Sequence, residues 1–280
     1  MLRSSIKHRQ IACMNLLYRN YSLEYFFDSV ERIGFETIAF WAGPPHFNLD
    51  AVKYDDAKRL RKKLVQQGLS CTSFTAAALL PPYQFAIEGP EQIEDCYRYF
   101  TNGVRVAADL GAHVMSVNSG YGMKDRSRDD AWKRSCDLLR CVSEFALKYG
   151  VCLTLESLRP LETNLVSTID ETKRMIDEIH HSNLKAMVDT TAISVSGETL
   201  WDWFRNFKKD IKNLHFVDGS PNGHLAWGDG ILELDDMICC LSEYGYEGPL
   251  GLEITDQRYM NDPSSAMEKS YNNLVRYVDD

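Results

Sequence analysis

An alternation repeated eight times constrains this chain more than any other feature: a short apolar run, then a longer stretch with apolar residues at helical spacing. The pattern predicts strands over 11–15, 37–41, 70–75, 113–118, 151–156, 184–189, 213–217 and 249–253. It predicts helices over 23–33, 57–67, 93–110, 130–149, 170–179, 200–207, 234–244 and 264–278. Strand-then-helix units call for a parallel sheet, because a parallel pair needs a crossover connection and a helix supplies it. Glycine stands where five of the helices must stop, at Gly34, Gly68, Gly111, Gly150 and Gly245. No linker rich in Pro or Ser and no shift of composition divides the chain. The expectation is therefore an α/β fold, a single (β/α)8 TIM barrel domain over residues 1–280 with 1–9 as a short N-terminal extension. An open doubly wound sheet would carry a glycine-rich phosphate loop after its first strand, and Cys13-Met14-Asn15-Leu16-Leu17 is not one.

Composition narrows the function classes. Lys and Arg number 31 against 40 Asp and Glu, a net charge of −9, which argues against nucleic acid as a partner because phosphates demand a basic face. With 44% hydrophobic and 25% charged residues the chain reads as an ordinary globular domain. Its eight cysteines form no Cys-x-x-Cys pair and several lie in apolar runs, so they read as reduced, buried small hydrophobes. Residues 1–9 lack the apolar run of a secretory signal, and no segment is long and apolar enough to span a bilayer. A cytoplasmic protein with no membrane partner is expected.

In such a barrel the C-terminal ends of the strands carry the chemistry. Strand five ends on Glu156, strand six on Asp189, strand seven carries His215 with Asp218 beyond it, and strand eight ends on Glu253. One strand-end carboxylate is commonly a helix cap or an ion-pair partner. Three of them converging at one end repel one another unless a cation sits among them. Three carboxylates and an imidazole suit a divalent, oxygen-preferring ion, with Mn2+ as the leading expectation and Co2+ or Mg2+ as alternatives.

These residues and their surroundings resemble the sugar isomerase/epimerase superfamily of xylose isomerase-like barrels, and within it the ketose 3-epimerases and the fructoselysine 3-epimerase group. The likeness lies in Leu155-Glu156-Ser157-Leu158-Arg159-Pro160-Leu161-Glu162-Thr163-Asn164, in Met187-Val188-Asp189-Thr190, in Leu214-His215-Phe216-Val217-Asp218, and in Gly245-Tyr246-Glu247-Gly248-Pro249 leading to Leu252-Glu253. Trp41-Ala42-Gly43-Pro44-Pro45-His46 is similar to a Trp-Gly-Gly-x-Pro-His turn of the fructoselysine epimerases. The resemblance implies Glu156, Asp189, His215 and Glu253 as metal ligands, with Glu156 and Glu253 also the acid/base pair. It implies epimerisation at C3 of a ketose or ketose derivative. One carboxylate removes the proton beside the carbonyl, giving an enediolate, and the other returns it to the opposite face. It further implies that Glu162 contacts the substrate and that the chain forms a homo-oligomer, a dimer or tetramer.

Other residues of the expected mouth are candidate substrate contacts. His46 and His224 stand in loops on that face, Asp218 is placed to orient His215 or meet substrate, and Trp41, Trp227 and Tyr83 offer aromatic surface. His113 opens strand four, at the wrong end, and His180-His181 reads as a helix terminus. Three departures from free-ketose epimerases stand out. Ala192 and Pro221 replace a histidine and an arginine that hold the sugar's terminal oxygens, and Ala39 replaces a strand-two glutamate. The expected substrate is therefore a carbohydrate carrying an aglycone or amine substituent rather than a phosphate. Two further readings keep the same barrel. One is a metal-dependent lyase on 3-oxo-glycosides, resembling the catalytic subunit of C-glycoside-cleaving enzymes and working with a partner subunit. The other is a sugar-binding barrel without catalysis, against which the presence of both Glu156 and Glu253 argues.

Overall fold

The computed structural model describes residues 5–51, 53–79, 81–220 and 223–279. Eight parallel strands close into a barrel: β1 (Ile11–Met14), β2 (Thr37–Ala42), β3 (Ser70–Ala76), β4 (Val114–Asn118), β5 (Cys152–Glu156), β6 (Leu184–Asp189), β7 (Ile211–His215) and β10 (Leu250–Leu252). Neighbours follow chain order, and β10 closes the ring by pairing with β7 on one side and β1 on the other. All eight predicted strands are present, and the expected α/β barrel is the fold.

The helices form where local chemistry starts and stops them. In α1 (Leu23–Ile33) the Ser22 side chain accepts the Tyr25 N–H at the N-terminus, and Gly34 ends the helix at φ 98°, a conformation a side chain would strain. The amphipathic helices α2 (Tyr54–Gln66), α3 (Pro90–Leu110), α4 (Arg128–Leu147) and α5 (Ile169–Ile179) follow β2 to β5. Around the rest of the ring lie α7 (Leu200–Phe207), α8 (Leu234–Glu243) and α9 (Pro263–Leu274). Each turns an apolar stripe onto the barrel, burying Trp132 and Trp203 among others. His180 caps α5 at φ 50°, the terminus expected of it.

Two elements interrupt the regular alternation at the C-terminal end of the barrel, and the pattern does not predict them. A short helix α6 (Thr190–Val195) starts directly on Asp189, and a hairpin of β8 (Asp218–Ser220) and β9 (Gly223–Leu225) follows β7. The seventh strand, expected over 213–217, runs from Ile211 to His215, two residues earlier and of the same length, and the hairpin takes over at Asp218. Val217 leaves the barrel ladder because the Thr190 hydroxyl takes both of its backbone groups, donating to its carbonyl at 2.6 Å and accepting its N–H at 3.0 Å. At the other end, the N-terminal extension docks onto the chain terminus through Ile6, whose N–H donates to the Tyr277 carbonyl at 2.9 Å. Residues 1–4 of that extension, and Pro221, lie outside the described residues.

Candidate active site and metal centre

Four side chains predicted from the strand ends meet at one point. Glu156 ends β5, Asp189 ends β6, His215 ends β7 and Glu253 follows β10. One donor atom from each lies within 4.8 Å of the others. The His215 Nδ1 is the centre of the group, 2.7 Å from Glu156 Oε1, 3.0 Å from Glu253 Oε2 and 3.9 Å from Asp189 Oδ2. Ala39 is fully buried under the site, where a glutamate side chain would meet Ala12 and Met14.

Burial makes the charges of this cluster expensive. Desolvation raises the Glu156 carboxyl to about 7 against the pull of His215. Burial opposes protonation of His215, yet the Glu253 and Glu156 carboxylates outweigh it and hold the imidazole well above its usual value. The group thus demands positive charge. A divalent cation answers that demand, and the donor set of three carboxylate oxygens and one imidazole nitrogen fits it.

Asp189 shows the same fit in its hydrogen bonds. Its Oδ1 accepts the Ala192 N–H at 2.7 Å, capping α6 and fixing the rotamer. Its Oδ2 has no hydrogen bond and faces the centre. Buried carboxylate oxygens without a partner are costly, and coordination to a cation would satisfy this one.

His224 of β9 approaches the cluster from outside the barrel. Its Nε2 lies 3.0 Å from Asp189 Oδ2, in contact but not aligned as a hydrogen bond, while its Nδ1 is 3.1 Å from the Thr255 hydroxyl. Burial would lower its pKa, and the Asp189 carboxylate raises it instead to about 9.

Above the cluster opens a cavity of about 350 Å3 whose wall includes Glu156, Asp189, Glu253, His224, Glu162 and Trp41. Ala192 is in the wall, at the position where the resemblance would have a histidine. Much of the remainder is apolar, from Leu16, Leu158 and the run Ala76-Ala77-Ala78-Leu79. Glu162 reaches the wall already paired, since Arg159 donates to it from Nε at 2.9 Å and from the guanidinium terminus at 2.5 Å.

Other expected contacts do not reach the cavity. Both oxygens of Asp218 are taken up by backbone, accepting the N–H groups of Gly219, Gly228, Gly230 and Leu232 at 2.8–3.0 Å. This carboxylate shapes the loop that carries His224 and forms no hydrogen bond with His215. His46 is held by the Asn15 side chain and the Tyr21 carbonyl, each at 2.9 Å, and faces a separate surface cavity. Trp227 is buried with its indole N–H on the Phe216 carbonyl, and Tyr83 stacks on Tyr99. Thr255 and Arg159 are wall and supporting residues that the pattern does not single out. A signal for Thr255 exists in its place two residues after Glu253, the spacing that returns a side chain to the same side of an extended chain.

Known proteins share this architecture and part of the sequence. The chain is 23% identical over 243 residues to the fructoselysine 3-epimerase of Shigella flexneri, covering 86% of this chain and 88% of the relative. It is 22% identical over 235 residues to the D-psicose 3-epimerase of Ruminiclostridium cellulolyticum, covering 82% and 77%. The crystal structure of a 3-keto-D-glucoside 4-epimerase from E. coli superposes with a TM-score of 0.80 at 17% identity, over 95% of this chain and 99% of that one. The family model for the xylose isomerase-like TIM barrel matches residues 27–277, and the chain belongs to that family.

Proposed function

We propose that this barrel is a divalent-metal-dependent carbohydrate epimerase, an isomerase that inverts C3 of a ketose or ketose derivative. The observation that carries the reading is the placement of the two glutamates. Glu156 and Glu253 are the outer members of an arc of four adjacent strands, on either side of Asp189 and His215, and both face the cavity. Two carboxylates flanking one bound sugar are what proton removal from one face and return to the other require. The relatives named fructoselysine 3-epimerase and D-psicose 3-epimerase support the same reaction.

Glu156, Asp189, His215 and Glu253 would hold the ion, which supplies Lewis-acid stabilisation of the negative charge that develops on the sugar oxygens. The chain's own residues do the rest. Glu156 and Glu253 each present a carboxylate to the cavity, one from either side of Asp189 and His215, for proton removal and return. Trp41 and the alanine run give the sugar ring or its substituent an apolar face, and His224 adds a polar group to the wall beside Asp189. Mn2+ is the ion favoured by the oxygen-rich donor set.

The test is NMR in deuterated water with Mn2+-loaded protein and a series of ketoses, ketose phosphates, fructosamines and oxo-glycosides. Epimerisation gives deuterium at C3 with inversion and no release of a substituent. Release of an aglycone would replace this reading with elimination, and binding without exchange would replace it with a carbohydrate-binding role.

A further inference from the structure

The charge of the cavity wall selects among sugars. Four carboxylates line it, Glu156, Glu162, Asp189 and Glu253, and among the described residues no lysine or arginine does. Arg159 is nevertheless close. It sits between two wall residues, Leu158 and Glu162, with its side chain only 16% exposed, and its charge is felt at Asp189, Glu253 and His224. Glu162, 20% exposed, holds this guanidinium in a two-pronged pair and also accepts the Arg159 backbone N–H at 3.2 Å. Such a fork is the same geometry by which arginine binds a phosphate or carboxylate of a ligand.

We infer that Glu162 determines the charge class of the substrate: by occupying the Arg159 fork it denies an anionic sugar its binding group, so the cavity takes uncharged or cationic ketose derivatives and rejects phosphorylated ones. The inference rests on the epimerase reading only for the ketose core. The divalent ion would be taken up by Glu156, Asp189 and Glu253, and the Arg159 guanidinium is taken up by Glu162, so among the described wall residues no lysine or arginine is left to pair with an anion. A sugar phosphate entering the cavity meets the wall carboxylates and finds the Arg159 fork already occupied. An amine-bearing conjugate meets attraction, and the apolar run 76–79 accommodates its carbon chain.

Calorimetry of Mn2+-loaded protein with D-fructose, D-fructose 1-phosphate and D-fructose 6-phosphate tests the idea, for wild type, Glu162→Gln and Arg159→Gln. Wild type is expected to prefer the neutral sugar at least tenfold, about 1.4 kcal/mol. Glu162→Gln frees the guanidinium charge and shrinks that preference about tenfold. Arg159→Gln bares the carboxylate and enlarges it. A merely structural role for the pair would weaken all three sugars together and leave the ratios unmoved. No preference in the wild type, whether from equal binding or from no binding of any of the sugars, overturns the inference, as do ratios unchanged in the variants. Deuterium exchange on the same samples reads the chemistry separately, so absent exchange with an intact ratio counts against epimerisation and not against charge selection.

Discussion

His224 sets its Nε2 3.0 Å from Asp189 Oδ2, although neither the hairpin that carries the histidine nor its contact with β6 belongs to the repeating strand-helix pattern. Groups beside a metal ligand orient it and tune its basicity, and their removal typically costs 10- to 100-fold in metal affinity or activity. His224→Asn should weaken Mn2+ binding and lower kcat within about that range. Calorimetric metal titration and turnover check it, and an unchanged metal affinity with a raised KM would assign His224 to substrate alone.

Each of the two flanking glutamates should be indispensable to proton transfer. Glu156→Gln and Glu253→Gln each remove a charge from the centre and a base from one side, and the loss in kcat should reach about 10^2- to 10^4-fold. Deuterium wash-in separates the roles. A single substitution that abolished inversion but left exchange at C3 would identify the remaining glutamate as the base for the proton still exchanged.

Metal removal should destabilise the fold as well as stop turnover. A ligand present at 100 times its Kd stabilises the native state by about 2.7 kcal/mol. For a chain of this size that corresponds to a Tm roughly 5 °C higher with metal. Thermal scans before and after dialysis against EDTA, then with Mn2+ restored, measure the shift. No change in Tm on adding any of Mn2+, Co2+ or Mg2+ would argue against a resident ion at this centre.

Asp218→Ala should cost more stability than an ordinary loop substitution. The carboxylate accepts four backbone N–H groups, that of Gly219 buried and those of Gly228, Gly230 and Leu232 at least partly exposed, and leaving a buried donor unpaired costs about 1–3 kcal/mol. A total near 3 kcal/mol or above is expected from urea unfolding, with some N–H groups recovering through water. Activity should fall as well, because the same loop presents His224. A loss below about 1 kcal/mol would show that the loop is held by its other contacts.

Asp229 gives a defined pH signature. Hydrogen bonds from Lys269 and Tyr259 hold its carboxyl below the usual aspartate value. The folded pKa is depressed, so the unfolded chain binds its proton first as pH falls. The contribution is complete above the unfolded value of about 3.9 and disappears as pH drops through the folded one. Urea midpoints of wild type and Asp229→Asn should differ at pH 7 and converge in acid as pH falls through the depressed folded pKa. A difference that persisted unchanged into acid would point to a cause other than the charge.

Much of the fold was legible in the sequence because its determinants are local. The helix over Leu23–Ile33 agrees at both ends with the apolar spacing, since Ser22 and Gly34 fix its limits within a few residues of the chain. The metal centre was legible for a related reason. Parallel strands in a closed ring bring all their C-terminal ends to one face, so a carboxylate closing a strand is placed by topology once the strands are known. Asp218 was expected to orient His215 or touch substrate, and the four amides it accepts come from Gly219 and from ten to fourteen residues further on. No periodicity announces that pairing.

The sequence by itself determined the number and order of the strand-helix units and the acidic strand ends, because propensity, periodicity and capping act over short stretches of chain. Only the tertiary structure decided which polar side chains remain free to act. His46 was removed from the cavity by Asn15 and Tyr21, Glu162 entered it already bound to Arg159, and His224 was carried to Asp189 by a hairpin. A hydrogen-bonding group is available for chemistry only where folding leaves it unpaired, and its partners are chosen by the packing of distant segments.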